Sequence, residues 1–206
     1  MNEGMYLVNG DHTGGSQYTV ASGAVLGGTG HITPASGQDV VVNGRLVVGD
    51  NSLATSQAGT LTITTSGGGA LVLNSGSTVE FDLLGAGTGT WNAGDKLSFG
   101  AAGSSQLEMV GTVTLQVANP TSLTNWVAGD SWQLFDWSGL SSPPASGSFV
   151  LGNTFTTILL GTGKEWDLSR LYLDGSISIA PEPGRMVLVL VGLGWILTVR
   201  RRRKLV

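Results

Sequence analysis

The chain has 206 residues, of which 41% are hydrophobic and 12% charged, with 33 glycines and no cysteine. This length allows one or two domains with a buried core, and the lack of cysteine excludes a disulfide framework, a zinc ribbon and a thiol nucleophile. Residues 1–180 hold four Lys or Arg against thirteen Asp or Glu, whereas residues 181–206 hold six basic residues and one acid, so the body carries −9 and the tail +5. An acidic body excludes nucleic acid as a partner, because phosphate contacts need basic residues spread over a face.

The first half predicts short β-strands. Residues 1–20 lack the basic and apolar segments of a secretory signal peptide. Apolar clusters follow, separated by Gly, Asn, Asp or Ser. In STVEFDL, the apolar residues Val79, Phe81 and Leu83 alternate with polar ones, as in a strand with one buried face. Predicted strands lie at 18–20, 40–42, 45–48, 60–64, 70–73 and 78–84.

A recurring phrase, in which glycine precedes a small or polar residue and then aliphatic residues, introduces many of these strands. It occurs at Gly23, Gly44, Gly59, Gly69 and Gly76, so its period is not fixed. Two architectures fit the phrase. One is a β-solenoid, like a right-handed β-helix, whose coils stack around a narrow apolar interior. The other is a series of hairpins, for which Asn43-Gly44 is a suitable two-residue turn. The solenoid is the prediction for residues 1–84.

From residue 85 the pattern of predicted strands changes. Longer, more aromatic strands are predicted at 96–100, 107–117, 130–137, 148–160 and 171–179, and Pro143-Pro144 marks a loop. Five tryptophans fall here, at 91, 126, 132, 137 and 166. They are expected in a core, with sugar stacking as the alternative. Residues 85–180 are predicted to form an antiparallel sheet or small sandwich that caps the solenoid, because an uncapped solenoid exposes an apolar face and unpaired strand edges.

The tail, residues 181–206, predicts a membrane helix. Residues 186–199 are fourteen uncharged residues, nine of them Leu, Ile or Val, and these nine favour insertion by roughly 3–5 kcal/mol. As a helix the segment is about 21 Å long, shorter than the hydrocarbon core of about 30 Å, so a buried core helix competes. The basic cluster Arg200, Arg201, Arg202, Arg203 and Lys204 decides for the membrane. It also predicts a cytoplasmic C-terminus with the acidic body outside.

Five segments carry three resemblances to known bacterial sequences. GAVLGGTGHI (23–32) and LVLNSGSTVEFDLLG (71–85) resemble the autotransporter-associated β-strand repeat. GDSWQLFDWSG (129–139) and WDLSRLYLDGSISI (166–179) resemble the region that follows such repeats in surface proteins. The tail resembles the PEP-CTERM sorting signal, in which a Pro-Glu-Pro triplet precedes a short transmembrane helix and a terminal arginine cluster.

The last resemblance implies a function. Pro181, Glu182 and Pro183 align with the recognition triplet, 186–199 with the helix and Arg200–Arg203 with the cytosolic block. In that family an exosortase, a membrane-embedded cysteine transpeptidase, is thought to recognise the signal and cleave near the triplet. This protein would then be its non-enzymatic substrate, held in the inner membrane and passed to the cell surface or extracellular matrix, where polysaccharide is a further expected partner. PEP-CTERM proteins normally begin with an export signal, so we expect a late start or a fragment here.

A carbohydrate-active or glycan-binding β-helix with the same anchor is the alternative. Such enzymes need clustered carboxylates, with a Lys or Arg base or calcium in the lyases. The acids of the body are dispersed in sequence, and the candidates are Glu80, Asp82, Asp130 and Asp136. Glu80 and Asp82 share one strand face and could pair as acids. Glu80 and Asp82 are expected to keep an outer face solvated, and Asp95 and Asp130 to lie in turns. His12 and His31 have no visible partners, so no metal, cofactor or catalytic residue is predicted.

Overall fold

The computed structural model describes residues 1–49, 58–84, 93–100, 104–118, 126–144, 149–152 and 163–181. Within these ranges the chain forms eighteen β-strands and one 3-10 helix, Trp137–Gly139, and it contains no α-helix. The prediction of an all-β fold is confirmed for this part of the chain. Fifteen of the strands lie in three parallel sheets and three in a small antiparallel sheet.

The chain visits the three parallel sheets in turn. The first sheet contains β1 (Glu3–Leu7), β4 (Gly23–Gly28), β7 (Arg45–Val48), β10 (Thr78–Asp82), β13 (Val113–Ala118) and β16 (Phe149–Leu151). The second contains β2 (Asp11–Thr13), β5 (His31–Thr33), β8 (Thr60–Ile63), β11 (Lys96–Phe99) and β15 (Phe135–Asp136). The third contains β3 (Tyr18–Val20), β6 (Val40–Val42), β9 (Leu71–Asn74) and β12 (Leu107–Val110). From β1 to β13 this order agrees with the predicted solenoid, in which each coil adds one strand to each sheet. Among the described residues, a strand of the antiparallel sheet then precedes β15 and β16.

The coils differ in length. Glu3 pairs with Gly23 and Val25 with Arg45, so each of the first two coils advances the chain by 20 residues (23 − 3 and 45 − 25). Arg45 then pairs with Thr78 and Thr78 with Thr114, which gives 33 and 36 residues (78 − 45 and 114 − 78). The added residues do not interrupt the parallel pairing of β7 with β10 or of β10 with β13.

The apolar interior follows directly from the alternation within the strands. Successive side chains of a strand point to opposite faces, and the parallel register stacks equivalent inward residues into columns. One column of the first sheet contains Tyr6, Leu26, Leu46, Val79, Leu115 and Leu151. Its members from Leu26 to Leu115 are 0–1% exposed. Burial of such columns, at about 25 cal/mol per Å² of apolar surface, drives the stacking of coil on coil.

The hairpin alternative at Asn43-Gly44 is wrong. β6 pairs with β3 and β9, whereas β7 pairs with β4 and β10, so the two strands belong to different sheets. Asn43-Gly44 instead forms a corner between them. A side chain at Gly44 would lie 2.3 Å from the carbonyl oxygens of Ala21 and Ala24. Close approach to the preceding coil therefore requires glycine at this corner.

The second half differs from the predicted antiparallel region at 85–180. The parallel sheets continue to β16, and antiparallel pairing is confined to β14 (Ser131–Gln133), β17 (Lys164–Asp167) and β18 (Ser176–Pro181). The predicted strand at 107–117 turns at Gly111, so that β12 and β13 enter different sheets. The aromatic residues had suggested a separate layer, but several of them continue the solenoid's inward columns.

The tryptophans form a core where the antiparallel sheet meets the later coils. Trp126 and Trp132 are fully buried and Trp137 is 7% exposed, which confirms the core prediction for these three. Trp126 and Trp132 lie 4.8 Å apart between ring centroids, and Phe135 stacks on Trp137 at 4.3 Å. Nε1 of Trp132 donates to the Leu84 carbonyl at 2.8 Å, so the buried indole is hydrogen-bonded. Trp166 is half-buried, and position 91 lies outside the described residues.

Candidate functional site

Most of the predicted sorting motif lies outside the described residues. Pro181 is the last residue of β18 and pairs with Lys164 of β17. Positions 182–206, which contain Glu182, Pro183, the predicted helix at 186–199 and the cluster Arg200–Lys204, are not described. Among the helices of the described ranges, none is long and apolar enough to cross a membrane. The structure therefore places the first proline of the triplet at the end of a strand.

Glu80 is buried, although the alternation in its strand predicts a solvated side chain. It points outward from β10 but is only 5% exposed. Its Oε2 lies 2.6 Å from a guanidinium nitrogen of Arg45 on the neighbouring strand β7, and the Arg45 side chain is 44% exposed. The cation thus covers the carboxylate on the outer surface of the first sheet. The sequence does not reveal this pair, because the two residues are 35 positions apart.

Asp95 joins two coils from within. It is 2% exposed, and its two carboxylate oxygens accept hydrogen bonds from the backbone amides of Gly59 and Asp82, each at 2.8 Å. Gly49 faces the same carboxylate, and a side chain there would lie 2.4 Å from Asp95 Oδ1. Gly49 also has φ +87°, which glycine adopts without strain. Asp95 is therefore a buried structural anion, more than the turn residue that its sequence suggests.

Asp130 and Asp136 hold turns in separate places. Asp130 is fully buried and accepts from the amide of Val127 at 2.8 Å, in the predicted turn. Asp136 accepts from the amide of Ser138 at 3.1 Å and so caps the 3-10 helix. Hydrogen bonds from Ser138 lower the pKa of Asp136, and nearby Lys96 adds to this against a weaker opposing effect of burial.

The candidate acids of the enzymatic alternative lie in different parts of the fold. Glu80 and Asp82 are on the first sheet, Asp136 is on the second, and Asp130 precedes the antiparallel strand β14. Within the described ranges, no group of three or more His, Asp or Glu residues is placed to hold a metal ion. A cleft of about 390 Å³ beside the 3-10 helix contains Asp136 and Asp174. Asp174 is already bonded there to Arg170 and Ser176.

The two histidines lie on opposite faces of the second sheet. His12 points inward between Tyr6 and Tyr18, with ring centroids 5.8 and 5.3 Å away. These rings line an open cleft of about 300 Å³ at the first coil. His31 points outward, and its Nε2 lies 2.6 Å from the Thr64 hydroxyl and 3.2 Å from that of Thr33. Burial, followed by the proximity of Tyr6, raises the pKa of Tyr18.

The outward face of the second sheet is chemically uniform. All nine outward residues of its strands carry hydrogen-bonding side chains: Asp11, Thr13, His31, Thr33, Thr60, Thr62, Lys96, Ser98 and Asp136. The first and third sheets instead carry outward valines, such as Val25 and Val150 on the first and Val41, Val72 and Val110 on the third. The second sheet is therefore the polar face of the described solenoid.

Five of these residues form one column along the solenoid. Register pairs Asp11 with His31, His31 with Thr62, Thr62 with Ser98, and Ser98 with Asp136. We call Asp11, His31, Thr62, Ser98 and Asp136 the polar column. With neighbouring strands about 4.8 Å apart, its four steps span about 19 Å. Asp11 is exposed and the other four are partly exposed.

Comparisons with protein-family models, with curated proteins and with solved structures find no match for this chain.

Proposed function

We propose that this chain is a non-enzymatic, exported surface or extracellular-matrix protein, sorted through a PEP-CTERM-like signal at residues 181–206. The observation that carries the proposal is the order of the tail. A Pro-Glu-Pro triplet, an uncharged apolar segment and a basic cluster follow one another at the C-terminus. The last described strand ends at Pro181, the first residue of the triplet, which supports a boundary between body and signal at this position.

The tail would act through membrane physics. Residues 186–199 form a short transmembrane helix, and Arg200–Lys204 hold its C-terminus on the cytoplasmic side. Arg185 and Arg200 extend the short span by snorkelling toward the two interfaces. The acidic β body then lies outside the inner membrane, where an exosortase-type transpeptidase processes the protein near Pro181, Glu182 and Pro183. The body reaches the cell surface or matrix as a solenoid, right-handed like nearly all crossovers between parallel strands.

A fusion experiment tests this proposal. Residues 181–206 are attached to the C-terminus of a periplasmic reporter that carries its own export signal, in bacteria with and without an exosortase. We expect the reporter in the inner-membrane fraction without exosortase, and a shortened, released or surface-attached reporter with it.

Two variants of this fusion separate anchoring from processing. Replacing Arg200–Lys204 with alanines should disturb orientation, whereas replacing Pro181, Glu182 and Pro183 with alanines should block processing and leave the reporter in the membrane. A reporter that stays soluble, and is unaffected by either change, would refute the proposed signal.

A further inference from the structure

The polar face of the second sheet is distinguished by what it lacks. None of the nine outward residues of its strands is aliphatic, Phe, Tyr or Trp. The interior behind these strands is filled by apolar residues such as Leu61, Ile63 and Leu97, each 0% exposed. Folding therefore explains the inward positions of these strands. Contact with solvent does not require every outward residue to be polar, because the other two sheets carry valines at outward positions. The uniform polarity of this face therefore needs a further explanation.

The chemistry of this face selects among partners. Protein interfaces draw most of their energy from buried aromatic and arginine side chains, and the strands of this face present neither. Nucleic acid and acidic polymers need several cations, whereas Lys96 is the one Lys or Arg among the nine residues, and residues 1–180 carry −9. Hydroxyl, imidazole and carboxylate groups remain, and these bind hydroxyl-rich, uncharged molecules.

The arrangement adds a direction. The polar column repeats a hydrogen-bonding group at every strand step. Its ends, Asp11 and Asp136, are carboxylates, which can accept hydrogen bonds from hydroxyl groups. An extended polysaccharide repeats its hydroxyl groups at a spacing comparable to that between strands. Strand register fixes the spacing of the column before binding, so a linear ligand meets an ordered array. Each single contact is weak, and affinity grows with the number of steps engaged.

We propose that the polar column binds an uncharged linear polysaccharide, which lies across the strands of the second sheet along the solenoid. Thr62 and Ser98, at the centre, donate to and accept from ligand hydroxyls, and Asp11 and Asp136 accept at either end. This binding goes beyond the proposed sorting function and does not depend on it, because no residue of 181–206 takes part.

Affinity gel electrophoresis tests the proposal. The full chain is kept in solution with a nonionic detergent that contains no sugar. Its mobility is measured in gels containing hydroxyethylcellulose, dextran or a linear β-1,3-glucan, and in gels containing anionic polygalacturonate. We expect retardation by at least one neutral polymer and none by polygalacturonate. Retardation by polygalacturonate alone, or by none of the four polymers, would overturn the proposal.

A matched pair of variants locates the site. Thr62→Val with Ser98→Ala removes two central hydroxyls and keeps shape, and should weaken binding about tenfold. Thr78→Val with Thr114→Val removes two hydroxyls from neighbouring strands of the first sheet, which pair with each other, and should leave binding unchanged. Equal effects of the two variants, or no effect of the first, would place the ligand elsewhere.

A second readout needs no variant. Diethyl pyrocarbonate modifies histidine, and mass spectrometry separates the products at His31 and His12. A saturating amount of the retarding polymer should slow modification of His31, in the polar column, several-fold, while inward-facing His12 is the internal control. Unchanged modification of His31 would refute the site. Sorting of the tail fusion is unaffected by either outcome, so failure here is distinguishable from failure of the proposed function.

Discussion

At the scale of single residues, the buried acids show how this fold uses its few charges. Asp95 is 2% exposed and accepts from two backbone amides that belong to different coils. A carboxylate that receives such bonds is stabilised, because hydrogen bonds to ionised groups are about twice as strong as neutral ones. The corner beside Gly49 and Gly59 is therefore held by one side chain from the next coil.

Replacing Asp95 should destabilise the body. In Asp95→Ala both amides lose their acceptor in a buried site, which we expect to lower the free energy of unfolding by about 3 kcal/mol. Asp95→Asn keeps one acceptor and should lose about half as much. The control is Asp39→Ala, since half-buried Asp39 accepts a single bond from Ala70 at 2.9 Å. Urea unfolding followed by tryptophan fluorescence measures all three. An Asp95→Ala loss no larger than that of the control would contradict this role.

The roles of Asp95 and Glu80 could not be predicted from the sequence. Asp95 follows glycine, and Glu80 alternates with apolar neighbours, so local patterns predict a turn and a solvated face. Both predictions fail to reveal burial, because the groups that cover these carboxylates come from other coils. Arg45 is 35 residues from Glu80, and Gly59 is 36 from Asp95. Such distances depend on coil length, which a variable glycine phrase does not fix.

At the scale of elements, the Arg45–Glu80 pair joins β7 to β10 on the outer surface of the first sheet. Arg45→Met leaves the Glu80 carboxylate buried without its cation. Since the Arg45 side chain is 44% exposed, solvent screens the pair, and we expect a loss of about 1–2 kcal/mol, below that of a fully buried pair. Arg45→Met with Glu80→Gln should recover part of that loss. A double-mutant cycle by chemical denaturation measures the coupling, and additive effects would contradict it.

The cap of the 3-10 helix predicts a pH dependence. The pKa of Asp136 is lowered in the folded protein from its ordinary value of 3.8. A lowered folded-state pKa contributes stability above the unfolded-state value, and this contribution is lost as pH falls through the folded-state value. Unfolding of the native chain should therefore become easier below about pH 4. Asp136→Asn keeps the cap without the charge, so its stability should fall less steeply there. The measurement is the thermal midpoint of unfolding as a function of pH. The same fall in midpoint for the native chain and for Asp136→Asn would contradict this prediction.

Strand positions are more predictable than strand partners. The predicted strands at 18–20, 40–42 and 45–48 match β3, β6 and β7 residue for residue. The sequence does not reveal which strands are neighbours, because the glycine phrase precedes strands of all three sheets. Gly23 begins β4 and Gly44 precedes β7 in the first sheet, whereas Gly59 precedes β8 in the second and Gly69 precedes β9 in the third. The phrase therefore predicts where strands begin, but it does not predict how many residues form one coil.

At the scale of the whole molecule, stacking of coils makes stability a nearest-neighbour property. Among the described strands, β1, β2 and β3 each pair on one side only, with β4, β5 and β6. The first coil also exposes large apolar side chains, with Met5 48%, Tyr6 44% and Leu7 38% accessible. Strands of the third coil, such as β7, pair on both sides and surround residues that are 0–4% exposed.

Native-state hydrogen exchange should therefore reveal a gradient along the solenoid. Amides of β1–β3 lose one set of neighbours and little buried surface when the first coil opens, so they should exchange by local opening. Amides of β7 and β9 should exchange only when flanking coils open as well, with protection factors at least about a hundredfold higher, since each 1.4 kcal/mol of additional opening free energy slows exchange tenfold. Breaking the Arg45–Glu80 pair should lower protection in β7 and β10 and leave β1–β3 unchanged. Uniform protection from β1 to β10 would instead mean that the body unfolds as one cooperative unit, in which no coil opens by itself.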